Sequence, residues 1–230
     1  MLEVHKLNVW YGAAQALFDV SLHVQAGELV VLQGLNGAGK STLLQAIMGL
    51  SARAEGVVSY QNKSNKNTNI LGLEPHAIAR LGLGYVPEDR RLFTTLTVAE
   101  NLHIAARQGV HSGTTQNDKK ETLPQRQERV LSLFPALKTM LPRKAAHMSG
   151  GEQQMLSIAR TLMTGPALLL LDEPCEGIAP VLVEAIRDAL LKLKTEGIPM
   201  LVAEQNAILA SRADRVITLV AGQVAYPEKP

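Results

Sequence analysis

The chain has 230 residues, 46% of them hydrophobic, enough to bury a sizeable core in one large domain or in a domain with a subdomain. Lysine plus arginine number 23 against 21 aspartates and glutamates, a net charge of +2, and this balance lacks the basic excess of a nucleic-acid binder. One cysteine, Cys175, excludes an intrachain disulfide framework and fits a reducing compartment.

No apolar run approaches the roughly eighteen residues that a membrane span needs. The start, MLEVHKLNVWYG, lacks the charged and apolar regions of a signal peptide. The expectation is a cytosolic protein whose membrane role, if it has one, goes through partners. The basic pairs Arg90-Arg91, Lys119-Lys120 and Arg143-Lys144 are too short to be blocks and read as solvated faces.

In chain order, LEVHKLNVWYG and ALFDVSLHVQAG alternate like half-buried antiparallel strands, with turn signals at Gly12 and at Ala26-Gly27. ELVVLQG is a continuous apolar run ending in glycine, as a fully buried parallel strand would be. KSTLLQAIMGL has helical spacing and stops at Gly49, so residues 29 to 49 are predicted to form strand, loop and helix. GVVSYQNKSNKNTNI then loses its apolar face and reads as an exposed hairpin with an extended tip. From Leu92 to Thr164 the pattern is mostly helical, interrupted by SGTTQNDKKETLPQRQE, whose composition predicts a mobile loop. PALLLLDEP, IPMLVAEQ and RVITLVAGQVA are strand-like, and VLVEAIRDALLKLKTEG between the first two is helical. No internal repeat is visible. Strands alternating with helices imply a parallel sheet covered on both faces.

GLNGAGKST, Gly34 to Thr42, matches G-x-x-x-x-G-K-S/T between a buried strand and a helix. In the run Gly34, Asn36, Gly37, Ala38, Gly39, the glycines let successive backbone N–H groups turn inward around phosphate oxygens. The helix that opens with Lys40, Ser41 and Thr42 adds its positive dipole end. Lys40 can reach the β- and γ-phosphates, and the Ser41 hydroxyl can take a place on Mg²⁺. A glycine-rich turn without a ligand is the plain alternative, and the strand-loop-helix context disfavours it. ALLLLDEP, residues 167 to 174, would deliver Asp172 at the carboxyl end of a buried strand, where open α/β sheets bind ligands. Asp172 would hold Mg²⁺ through water, and Glu173 would accept a proton from an attacking water. A polar turn capping the strand is the alternative, weakened by the phosphate loop upstream.

MSGGEQQ, Met148 to Gln154, heads the helical run MLSIARTLM with two glycines in its first turn, where each costs up to about 1 kcal/mol against alanine. Ser149 and Glu152 form S-x-x-E, a capping box that would start this helix without any nucleotide. The box leaves Gly150 and Gly151 unexplained.

Together the three motifs resemble the ATP-binding subunits of ABC transporters, over nearly the whole chain. MSGGEQQ occupies the place of that family's LSGGQ signature, with Glu152 where glutamine is usual. The resemblance implies an α/β P-loop NTPase fold: a mainly parallel sheet flanked by helices, an N-terminal antiparallel β subdomain and a helical subdomain. Approximately residues 1–88 and 160–230 would form the nucleotide-binding core and 89–159 the helical part of a single ABC domain. It further implies that each of two ATP molecules lies between one phosphate loop and the signature of the opposite subunit, and that Tyr11 stacks on adenine. An edge-strand aromatic packing on the core is the alternative for Tyr11, and is the expectation for Trp10.

Three positions depart from the general pattern. Glu88 stands where most members have a glutamine that touches Mg²⁺ and the membrane subunit, Gln205 where most have a histidine reaching the γ-phosphate, and Ala179 where many have an aspartate crossing the dimer interface. A carboxylate still binds Mg²⁺ but adds negative charge; an amide donates a hydrogen bond but cannot become a cation. VPEDRRLFTTLTVAENL, EGIAP and AEQNA together resemble one of the two ATPase subunits of bacterial branched-chain or hydrophobic amino acid importers, and a related branch imports urea or short amides. The partners so implied are a second ATP-binding subunit (or a second copy in isolation), two transmembrane permeases and, indirectly, a periplasmic binding protein, with no nucleic acid. The implied place is the cytoplasmic face of the bacterial inner membrane, and Arg90, Arg91 and Leu92 would begin the membrane-subunit contact unless they are solvated loop. A soluble ABC ATPase acting on nucleic acid or protein complexes would carry two cassettes or a coiled-coil insertion, and a P-loop kinase would not need SGGE.

Overall fold

In the computed structural model of the chain, residues 1–51, 53–61, 66–108, 121–205 and 207–225 are described, with all side chains but those of residues 107 and 108. The two alternating segments at the start form β1 (Leu2–Tyr11) and β2 (Ala14–Val24), antiparallel around the Gly12 turn. The apolar run and the helical run after it form β3 (Leu29–Gln33) and α1 (Lys40–Ile47). Next come β4 (Arg53–Gln61) and β5 (Asn67–Asn69), the expected hairpin, with Ser59 opposite Asn69; its tip, residues 62–65, lies outside the described residues. After α2 (Pro75–Arg80) and β6 (Leu83–Val86), the helical part consists of α3 (Val98–Gln108), α4 (Leu123–Leu133), α5 (Pro135–Thr139) and α6 (Gly150–Met163). The chain closes with β7 (Leu168–Asp172), α7 (Pro180–Thr195), β8 (Met200–Ala203), α8 (Ala207–Ala210), β9 (Arg215–Val220) and β10 (Gln223–Ala225).

Two sheets result. One is antiparallel, in the order β2-β1-β4-β5; the other, β10-β9-β3-β8-β7-β6, is parallel except for the edge strand β10. Because strand side chains alternate faces, the inner strands β3, β7 and β8 each feed two cores. Leu29, Val31, Leu169, Leu171 and Val202 pack on one side with residues of α3 to α7. Val30, Leu32, Leu168, Leu170 and Leu201 pack on the other with α1, α2 and the antiparallel sheet. A strand covered on both faces cannot alternate polar with apolar, which is why LVVL and LLLL are unbroken apolar runs.

Two local expectations are corrected. The segment expected as a mobile loop is helical from Leu123: Thr122 accepts the Gln125 N–H, and Gln125 reaches back to the Thr122 N–H, a capping box followed by proline in the first turn. Residues 112–120 of that segment lie outside the described residues. Trp10 does not pack into the core; it is half-buried, with the Arg53 guanidinium 4.4 Å above its ring.

Candidate functional site

The phosphate-loop residues sit between the carboxyl end of β3 and the start of α1, beside the neighbouring strand ends of the parallel sheet. Gly37 and Gly39 have φ of 79° and 104°, which only glycine adopts cheaply. A Cβ on Gly34 would lie 2.4 Å from the Leu219 carbonyl, so the turn out of β3 also needs glycine for packing. The cleft beside this loop, about 470 Å³, is lined by Asn36, Lys40, Ser41, Glu88, Glu173 and Glu176 among others.

Four of the singled-out side chains meet directly. Ser41 Oγ donates to Asp172 Oδ1 at 2.8 Å. The buried Lys40 ammonium donates to the carbonyls of Gly34 at 2.9 Å and Leu35 at 3.3 Å, and pairs with Glu173 at 2.9 Å. Its three protons thus all have acceptors within the chain. Glu173 is held at φ +45°, a left-handed conformation that non-glycine residues keep only where surrounding structure enforces it.

The carboxylates separate electrostatically. Burial raises the Asp172 carboxyl, hydrogen bonds from Ser41 and Tyr85 oppose it, and the charges of Glu88 and Glu173 push it further, leaving it above the ordinary aspartate range. Burial also pushes Glu173 up, but hydrogen bonds from Lys40, Glu176 and Gln205 outweigh it and hold the group below its ordinary range. Glu176 goes the other way, raised by its hydrogen bond to Glu173 and by that residue's charge. The hydrogen bond thus moves the two carboxyls in opposite directions, Glu173 down and Glu176 up.

Gln205, reached from the end of β8, donates its amide to Asn36 Oδ1 and hydrogen-bonds Glu173, but it lies outside the lining of the Lys40 cleft, in a neighbouring pocket shared with Asn36, Gly37 and Ala38. Tyr11 is 49% exposed, with its hydroxyl 3.4 Å from Thr42 Oγ1 and Gln45 Oε1, at the outer side of α1. Ala38 is buried behind the loop. Ala179 caps α7 without any side-chain hydrogen bond, as an alanine must.

The signature residues do not line the Lys40 cleft. Ser149 Oγ accepts the Glu152 N–H at 3.3 Å and Glu152 Oε2 accepts the Ser149 N–H at 2.7 Å, so the capping box is formed. The two glycines have different reasons. A Cβ on buried Gly151 would lie 2.2 Å from Leu182 Cδ1, so this glycine serves the packing of α7 against α6. A Cβ on exposed Gly150 would meet only the Arg90 guanidinium, at 3.4 Å and beyond. Its open face is not required by this chain's own packing.

Arg90 is engaged rather than solvated, whereas the Arg91 side chain is exposed and pairs with the equally exposed Asp89. Both have positive φ, 60° and 45°. The Arg90 side chain donates to Gln154 Oε1 at 3.1 Å and approaches Gln153, while Ser157 and Arg160 donate to its carbonyl at 3.0 and 3.1 Å. The turn after Glu88 is thereby clamped to α6. Sequence reasoning passed over Tyr85, whose hydroxyl donates to Asp172 Oδ2 at 3.1 Å, and Glu176 and Glu204. For Glu204 one signal existed, a charged residue ending the apolar run LVA.

Residues 17–176 match the family model described as ABC transporter. The chain is 43% identical to the high-affinity branched-chain amino acid transport ATP-binding protein BraG of Pseudomonas aeruginosa, over 97% of this chain and 91% of that one. It is 37% identical to the probable branched-chain amino acid transport ATP-binding protein LivF of Archaeoglobus fulgidus, over 98% and 91%. Among solved structures, a dimeric post-hydrolysis state of the ATP-binding cassette MJ0796 bound to ADP and Pi superposes with a TM-score of 0.81 at 27% identity, covering 100% of this chain and 98% of that one. With the family pattern matched over most of its length and identity sustained over nearly all of it, the chain belongs to the ABC transporter family, among its ATP-binding cassettes.

Proposed function

We propose that the chain is the ATP-hydrolysing subunit of a membrane importer for branched-chain or other hydrophobic amino acids, working at the cytoplasmic face of a bacterial inner membrane. The observation that carries this reading is that Lys40, Ser41 and Glu173 line one cleft, with buried Asp172 hydrogen-bonded to Ser41, on a chain 43% identical to a branched-chain amino acid transport ATP-binding protein. In this reading ATP lies along the phosphate loop, from Gly34 to Thr42, with Tyr11 against the base.

The donor set suits Mg²⁺. Ser41 and Asp172 are already in register at 2.8 Å, Glu88 lines the same cleft, and the Asp172 carboxyl is held above its ordinary range, as a carboxylate short of positive charge would be. Among the described residues no cluster of three or more His, Cys, Asp or Glu forms a metal centre of its own, which fits an ion carried chiefly by phosphates and water. Bound there, Mg²⁺ would offset phosphate charge. Glu173 takes the proton of the attacking water, and Gln205 orients the γ-phosphate side of the cleft by its amide. Lys40 leaves Glu173 for the phosphates when ATP arrives, which frees that carboxylate for the base role.

A second cassette, different in the transporter or a second copy in isolation, is needed because Ser149, Gly150, Gly151 and Glu152 stand away from the Lys40 cleft while Gly150 keeps an open face. The residues around 89–159 pass nucleotide-driven movement to two permease subunits, with a periplasmic binding protein beyond them. A cavity of about 980 Å³ lined by His76, Arg91, Phe93, Ile104 and Arg160, between α2, β6 and the helical part, supports this as the docking side.

Co-purification from a detergent extract tests the proposal. Two hydrophobic proteins and a second ATPase should accompany the chain, and ATP hydrolysis by that complex should rise with branched-chain amino acids in a panel that includes urea. Stimulation by urea alone would move the chain to the short-amide branch. Recovery with nucleic acid, or as a lone soluble enzyme, would refute transport.

A further inference from the structure

Glu204 is buried at 3% exposure, and neither the phosphate loop nor the Mg²⁺ donor set uses it. Its carboxylate lies between the two loops that carry Glu173 and Gln205. Oε2 accepts the Cys175 N–H at 3.0 Å, and Oε1 accepts the Gln205 N–H at 2.9 Å. Each of those N–H groups lies just beyond the end of a parallel strand, where the ladder no longer supplies an acceptor. The Glu204 backbone is itself anchored, donating to the Leu32 carbonyl at 3.0 Å, while the Glu173 N–H donates to the Ala203 carbonyl at 2.9 Å. One residue thus ties the strand before the phosphate loop, the Glu173 turn and the start of the Gln205 loop.

A buried carboxylate is a costly way to satisfy two N–H groups, since a negative charge taken from water is penalised unless its hydrogen bonds compensate. Here the cost is larger, because Glu173 and Glu176 are close by and Glu204 adds to the field that raises Glu176. What the carboxylate supplies is two acceptor oxygens at a fixed separation, one for each loop, which a serine or threonine hydroxyl cannot span. Resting on the hydrolytic reading above, we propose that Glu204 is a positioning residue that holds the Gln205 amide at a set offset from the Glu173 carboxylate. The offset matters because catalytic groups misplaced by an ångström lose much of their effect.

The test is a double-mutant cycle on ATP hydrolysis by the assembled transporter, with Glu204→Gln and Gln205→Ala. Glutamine keeps the shape of Glu204 but turns one acceptor into an NH₂ facing a backbone N–H. Glu204→Gln should lower kcat by roughly 10- to 100-fold with KM for MgATP unchanged. Together, the two substitutions should fall short of the product of their separate effects by more than about threefold, since groups acting as a unit are not additive. Additivity within about threefold, as a general weakening of the fold would give, overturns the proposal, as does KM rising in step with the fall in kcat. Gln205→Ala turning over at the wild-type rate overturns it too. None of these outcomes touches Glu173, whose own substitution tests the hydrolytic reading separately. Should Glu204→Gln fail to fold, Glu204→Asp, which keeps the charge one methylene shorter, carries the same cycle and the same criteria.

Discussion

Replacing Glu173 by glutamine separates two roles of one carboxylate, the observed ion pair and the proposed base. Glu173 is the ion partner of buried Lys40, at 2.9 Å. Removing one member of a buried pair costs about 3–5 kcal/mol. Glutamine keeps a carbonyl in place, however, and Lys40 keeps the Gly34 and Leu35 carbonyls, so about 1.5–3 kcal/mol is expected, the worth of a hydrogen bond to a charged group. For a chain of this size that is a fall in Tm of roughly 3–12 °C. Nucleotide gives Lys40 a new anionic partner, so the deficit should vanish when the site is filled, and the ligand-induced rise in Tm should exceed that of the wild type. Turnover should drop by two orders of magnitude or more with the base gone. Thermal unfolding with and without a non-hydrolysable ATP analogue reads the first effect, and phosphate release by the assembled transporter the second. Wild-type turnover would refute the base assignment. An unchanged Tm with an unchanged ligand shift would refute the Lys40–Glu173 pair as a stabilising contact.

Gln205→His should change kcat with little change in MgATP affinity, because the side chain meets Asn36 and Glu173 rather than the base end of the cleft; unchanged kinetics would count against its place at the γ-phosphate. The two signature glycines should respond oppositely. Gly151→Ala should lower Tm, since displacing Leu182 costs about 1–3 kcal/mol against a helix gain of about 0.5–1 kcal/mol, and Leu182→Ala should relieve it. Gly150→Ala should leave Tm at or above wild type yet slow turnover. A pH effect follows from Glu121, which ties Arg126 and Arg129 of α4, the latter also bound to Glu196 beyond α7. Burial raises the Glu121 carboxyl, but hydrogen bonds from the two arginines outweigh it and hold it below the ordinary 4.5. Its stabilisation is therefore complete above that value and lost as pH falls below it through the folded value. For a group one-third exposed this is at most about 1 kcal/mol, and Glu121→Gln should flatten that part of an acid-unfolding curve followed by circular dichroism.

Lys40 and Glu173 are both buried, and each offsets the burial of the other. In the proposed reading, ATP binding would exchange this ion pair for one with phosphate and release the carboxylate for the base role. Glu152, a carboxylate where the family usually has an amide, is turned back onto the Ser149 N–H, with Arg143 at 3.8 Å.

Contiguous patterns were enough to read the phosphate loop, the Asp172-Glu173 strand end, the capping box at Ser149 and the two-sided parallel sheet. Each of these is a local rule: backbone φ at glycine, the period of a buried strand, the reach of a side chain three residues on. The features that escaped such reading depend on which distant segments come together. Leu182 explains Gly151, Arg53 covers the Trp10 ring, α6 clamps Arg90, and Glu204 joins two loops. Apart from the charge that ends the apolar run at Glu204, these leave no local trace, because packing volume and the need of a buried N–H for an acceptor are settled by neighbours in space. A run such as MSGGEQQ therefore announces a helix start and a pair of missing side chains, while only the fold assigns one gap to the chain's own Leu182 and leaves the other open.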